Sequence, residues 1–181
     1  VTEESAGRYP AGTAYDSRAE ELKMWVHATL IDTAVLTYER FVGPLAEAEL
    51  ASYYEDVKRL GDQFGISREL QPQSWSEFQR YVTDTLASDE IAATETLREL
   101  GEMLRRPPLP LARVPVARVV NLFTAATLPP ELRAELGLPW GRADAAALRV
   151  QAAAVRRMLP LMPPRYRYSW ISGSLRQHDE R

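Results

Sequence analysis

Proline and glycine divide this 181-residue chain into stretches of helix length, and no other feature constrains the fold as tightly. Between the breaks the chain is rich in Ala, Leu, Glu and Arg and poor in alternating β-branched residues, so the pattern predicts an all-α architecture. Asp16 or Ser17 is placed to cap a first helix that carries Glu20 and Glu21 in its opening turn and runs to about Val42, where Gly43-Pro44 stops it. A second helix, from about Ala46 to Phe64, repeats Leu50, Tyr53, Tyr54, Val57, Leu60 and Phe64 at three- and four-residue steps. It turns Glu55, Asp56, Lys58 and Arg59 mostly outward and ends at Gly65.

Ser74-Trp75-Ser76-Glu77 has the form of a capping box, and the helix it opens carries Phe78, Tyr81, Val82 and Leu86 inward. A short helix follows over Thr94 to Leu104. Arg105-Arg106-Pro107-Pro108-Leu109-Pro110 then reads as a surface connector, because successive prolines lack the amide donors a helix requires. Val114 to Leu128 is apolar on most sides, with Val116, Val119, Val120, Leu122 and Phe123, and is expected in the core. Pro129-Pro130 restarts a short helix that Gly137 to Gly141 ends, and a last helix, Ala143 to Leu159, presents Leu148, Val150, Val155 and Met158 among alanines. Residues 1–181 read as one helical domain, with a leading loop over 1–15 and a basic, aromatic tail over 163–181.

Several functions are excluded by residues the chain does not have. It contains no cysteine, which removes thiolate catalysis, iron–sulfur ligation and disulfides, and only two histidines. With no HxxxH or HExxH pair, a metal site is not expected. Asp84, Asp89 and Glu90 bracket a helix end and read as a solvated acidic cap. No glycine-rich phosphate loop and no GxSxG elbow is present, which removes nucleotide-binding and hydrolase readings. A net charge of −3 argues against nucleic acid. No apolar run approaches the roughly 18 to 20 residues that span a bilayer, and the first residues do not resemble a signal peptide, so a soluble, cytoplasmic protein is expected.

Chemistry concentrates in Lys23 to Thr33, where a histidine, two threonines and an aspartate stand in an otherwise apolar helix. His27 shares a stripe with Ile31, Ala34 and Tyr38, while Thr29, Thr33 and Arg40 line a second stripe beside Asp32. One reading makes these groups structural: His27 bonds a neighbouring helix, and the threonines bond the preceding turn. The other places His27 on a cofactor pocket, since imidazole is the usual haem ligand or haem-pocket donor. Asn121 and Thr124 in the later core helix are read as structurally bonded, and Trp75, Phe78 and Tyr81 as core.

Trp25-Val26-His27-Ala28-Thr29-Leu30, preceded by Tyr15-Asp16 and followed by Tyr38-Glu39-Arg40, resembles the signature of a bacterial oxygenase-like family. That family contains the rubber oxygenase (latex-clearing protein) catalytic domain and the MpaB-type oxygenases. The resemblance continues in order through Tyr53-Tyr54-Glu55, Phe64-Gly65, Phe78-Gln79-Arg80-Tyr81, Asn121-Leu122-Phe123-Thr124-Ala125, Leu128-Pro129-Pro130-Glu131-Leu132-Arg133 and Leu136-Gly137-Leu138-Pro139-Trp140. It implies an all-α, globin-like fold. In the rubber-cleaving members it also implies a b-type haem that activates dioxygen to cleave a carbon–carbon double bond.

The family's axial histidine lies on helices before the region matching Tyr9 to His27, so the resemblance reads this chain as the C-terminal part of the domain, without its N-terminal helices. Within that reading His27 is expected to be the catalytic donor to bound dioxygen, since its chemistry best suits stabilising the developing negative charge, and His27, Thr29, Asp32, Arg40 and Asn121 are expected as cofactor-binding groups. The implied partners are dioxygen and a small apolar substrate. Self-association is expected through a helix face left uncovered, formed by Met24, Ile31 and Val35 or by the surface around Val119 and Phe123. The competing reading is a non-enzymatic helical interaction or small-ligand-binding domain.

Overall fold

A computed structural model describes residues 5, 9–14, 16, 18–88, 94–105 and 114–163. They form seven α-helices and no strand: α1 (Glu20–Phe41), α2 (Glu47–Gln63), α3 (Trp75–Ala87), α4 (Glu95–Arg105), α5 (Val114–Thr127), α6 (Pro130–Glu135) and α7 (Arg142–Met158). The all-α expectation holds, and most helix ends fall at the proline and glycine breaks, the gap between α3 and α4 being the exception. None of the described helices is long and apolar enough to cross a membrane.

Local chemistry accounts for the helix ends. After α2, Gly65 adopts a φ of +73°, and Ile66 N–H bonds the Gly61 carbonyl while Gly65 N–H bonds that of Asp62. This is a Schellman stop, open to glycine because other side chains crowd the left-handed region. The same pair of bonds closes α6, where Gly137 has a φ of +62° and Leu138 N–H reaches the Arg133 carbonyl. At the start of α3, Ser74 Oγ accepts Glu77 N–H at 3.2 Å. The reciprocal half of that box is displaced by one residue, since the Glu77 carboxylate takes Gln73 N–H at 2.9 Å.

The start of α1 corrects the expected cap. Ala19 occupies the N-cap with no side-chain bond, and the Asp16 carboxylate instead accepts Arg18 N–H at 2.9 Å. Aspartate prefers the N–H two residues ahead, so it builds the turn that leads into the helix. Ser17 lies outside the described residues, as do the connector from Arg106 to Pro110, the acidic pair Asp89 and Glu90, the tail beyond Pro163 and most of the leading loop.

Helix α1 is the hub, packing against α2, α3, α5 and α7. Its N-terminal half sends Met24, Ala28 and Ile31 into a cluster with Tyr54, Ile66, Phe78 and Val82. Trp75 stacks on Phe78 with ring centroids 5.1 Å apart, which bears out the core reading of that aromatic cluster. Its C-terminal end puts Phe41 against Leu148 and Ala152 of α7, with Leu122, Phe123 and Trp140 packed around them. A third, smaller cluster joins Ala125, Leu136 and Leu138. Helix α4 lies close on the end of α6, because Gly101 is buried where a Cβ would strike the Leu136 carbonyl.

Which faces are buried differs from expectation at several points. Met24, Ile31 and Val35 are in the core, because their stripe is the one that meets the neighbouring helices. The large apolar residues of α1 that stand in solvent are Val26, Leu30 and Tyr38 instead. Helix α5 is only partly enclosed: Val119 and Val120 are 50% and 52% exposed. Leu60 and Phe64 of α2 and Val150 and Met158 of α7 also stand out in solvent. Lys58 goes the other way and is 6% exposed, because its ammonium reaches the Gln73 carbonyl at 3.2 Å and the Glu55 carboxylate.

Candidate functional site

The expected site residues of α1 divide between two surroundings. His27 is 4% exposed, with Nε2 3.0 Å from the Val57 carbonyl of α2 and its ring edge-on to Phe64 at 6.0 Å. A carbonyl only accepts, so Nε2 carries the proton. The second lone pair of Val57 allows this bond beside the one within its own helix. Thr29 is exposed and donates from Oγ1 to the Val26 carbonyl at 2.8 Å, a bond to the preceding turn. Asp32 lies on the exposed side of α1, yet the protein around it withdraws enough water to raise its carboxyl above the usual value.

Arg40 sits 13 residues beyond His27, about 20 Å along the helix at about 1.5 Å per residue. It donates to the Ala126 carbonyl near the end of α5 at 3.0 Å. Asn121 is half-buried on α5, and Thr124 there bonds back to the Val120 carbonyl at 3.0 Å. His27 therefore faces α2 while Arg40 faces α5 and α7, and the two share no pocket.

A groove that the sequence reading did not anticipate opens beside Arg40. Its volume is about 1010 Å³, and its floor is Trp140, Ala145, Leu148 and Ala152. Arg40, Arg149, Arg156 and Arg157 rim it. Arg156 Nη2 donates to the Glu39 carbonyl at 2.8 Å, so each of Arg40 and Arg156 satisfies a carbonyl in the last turn of another helix. Arg133 covers one face of Trp140 at 4.9 Å and fixes the indole. The signal for this groove was present in the sequence. Ala145, Leu148, Arg149, Ala152, Arg156 and Arg157 recur at three-, four- and one-residue steps that place them on one face of a helix.

A second polar concentration, at the loop between α2 and α3, is structural. Tyr54 Oη donates to the Pro72 carbonyl at 2.9 Å, and burial pushes its phenol well up. Gln71 Nε2 donates to the Ile66 carbonyl and to Asp62, and Glu20 of α1 accepts Ser67 N–H at 2.9 Å. The Arg68 guanidinium holds the Asp62 carboxyl below its ordinary range, and the Ser67 amide does the same for Glu20. Among the described residues no group of His, Asp or Glu could hold a metal ion.

With an all-helical body, a polar seam along α1 and an apolar groove at its far end, the chain can be set beside known proteins. It belongs to the family described as ER-bound oxygenase mpaB/B'/rubber oxygenase, catalytic domain, whose profile matches residues 3–157. Two relatives, the uncharacterized protein Mb2261 of Mycobacterium bovis and the uncharacterized protein Rv2237 of Mycobacterium tuberculosis, are each 31% identical over 161 residues. The match takes in 87% of this chain and 61% of each relative, so the chain spans less than two thirds of their length. No solved structure matches it.

Proposed function

We propose that this chain forms the helical body of an oxygenase catalytic domain that acts with dioxygen on an apolar, unsaturated substrate, with haem as its redox cofactor. The observation that carries this reading is the family match, which takes in α1 to α6 whole and nearly all of α7.

Haem requires an axial donor facing an apolar slot. Among the described residues none fits that role. The His27 ring is enclosed by Val57 and Phe64, and the groove lining contains no His, Tyr or Met. On this reading the axial donor lies outside the described residues. The residues described here supply position: His27 ties α1 to α2, and Arg40 ties α1 to α5.

The test is to mix the purified protein with haemin, scan about 350 to 650 nm for a Soret band, and then follow dioxygen uptake with dispersed squalene as the alkene. The expected result is alkene-dependent uptake by the haem-loaded protein, with any Soret band unmoved by His27→Ala. A band lost in His27→Ala would return His27 to the iron and overturn its positional role. Absence of both band and uptake would favour the non-enzymatic, small-ligand-binding reading. That reading has its own support, because His27, Thr29 and Arg40 all find partners within the protein.

A further inference from the structure

We propose that the groove between the end of α1 and the face of α7 is a binding site for an amphipathic carboxylic acid. Its apolar body would lie on Trp140, Leu148 and Ala152, and its carboxylate would be held by Arg149 and Arg157. The inference is carried by the groove alone and stands apart from the oxygenase reading.

The chain as a whole carries −3, yet four guanidiniums rim this one groove. Among the described residues none of the four meets a carboxylate within ion-pair distance. The ends of α1 and α5 offset this only in part, since a helix C-terminus carries about −0.5 of a charge and the two together about −1. The four arginines divide between two tasks. Arg40 and Arg156 are each committed to a helix-end carbonyl. Arg149 and Arg157 are exposed on α7 with no partner among the described residues, which leaves their planar donor pairs available to a carboxylate.

A site for a small inorganic anion has no use for a half-buried indole, whereas an alkyl chain gains from covering the part of Trp140 that stays open. Alanines at 145, 152 and 153 leave the space that larger side chains would fill.

Calorimetric titration of the full chain with decanoate, below its micellar concentration and at low ionic strength, tests the proposal. Decanoate is expected to bind at one site, about tenfold or more tighter than decanol or inorganic phosphate. Arg149→Gln with Arg157→Gln should weaken decanoate by about tenfold while leaving the thermal unfolding curve in place, because neither side chain has a partner to lose among the described residues. Filling the groove from its exposed wall with Ala153→Phe should weaken decanoate and leave phosphate unchanged. Equal binding of decanoate and decanol, or no effect of the double arginine variant, would overturn the proposal. So would phosphate as tight as decanoate, which marks a bare anion patch. Binding to phosphatidylglycerol vesicles without binding to decanoate would likewise overturn it and make the groove a membrane contact.

Discussion

The two ends of α1 are packed in different ways. Around its N-terminal half, α2 and α3 close a core of large rings, Tyr54, Trp75 and Phe78, and the loop between them is tied down by Tyr54, Lys58, Gln71 and Glu20. Around its C-terminal end, α5 and α7 meet through Phe41, Leu148 and alanines, leave Val119, Val120 and Val150 in solvent, and open a groove. One region spends its side chains on filling space, and the other leaves space beside a concentration of unneutralised charge. Stability is therefore expected to reside in the first region and ligand chemistry in the second.

The widest gap between the regions should come from truncating their central residues. Phe78, fully buried between Tyr54 and Trp75, should cost about 3–5 kcal/mol as Phe78→Ala, against about 2 kcal/mol for Leu148→Ala beside the groove. Chemical denaturation of both variants checks this, and equal losses would break the contrast. Next comes Gly101→Ala. Alanine is the better helix former by about 1 kcal/mol, but its Cβ meets the Leu136 backbone, so a net loss of about 1–3 kcal/mol is expected. A gain in melting temperature would mean that α4 is free to move off α6.

His27→Ala should cost about 2 kcal/mol through the lost Val57 bond and the space left beside Phe64. Amide exchange should quicken in α2 around Val57 and Gly61 and stay unchanged in α7. Exchange that quickened in α7 instead would show His27 acting across the two regions. The smallest effects are those of pH, and they fall in the first region. Asp62 and Glu20 have lowered carboxyl pKa values, so their contribution is present above the ordinary carboxylate range and is lost as pH falls through the lowered values. Asp32 has a raised pKa and the opposite sign: it costs stability above that raised value, and the cost disappears as pH falls to the ordinary one. Asp62→Asn should therefore flatten the acid limb of the melting profile, and Asp32→Asn should raise the melting temperature at pH 7 but not at pH 3. No rise at pH 7 would mean that water reaches the Asp32 carboxyl freely.

The helix boundaries were legible because they are local. Gly65 and Gly137 need a left-handed backbone, and Gly43-Pro44 ends α1, whatever the rest of the chain does. Burial was less legible, because it depends on which neighbour arrives. Nothing in the spacing of α2 separates Lys58 from Arg59, and only the folded position of the Gln73 carbonyl draws one of them inside. In α1 the polar residues were identified as a group, but the structure divides them, with His27 turned to α2 and Arg40 about 20 Å away along the same helix. The groove went unseen because its alanines suit close packing and its arginines suit a solvated face. Only the arrival of Arg40 from α1 brings them into one place.

Helix α1 has 22 residues, about 33 Å at about 1.5 Å per residue, and it is a wall of both regions. Neither cluster can dissolve without stripping one end of this shared rod, and a frayed rod withdraws support from the other cluster. Unfolding is thereby made cooperative over a longer distance than either cluster spans, and the sparse C-terminal region takes its persistence from a helix whose deepest anchors lie at the opposite end.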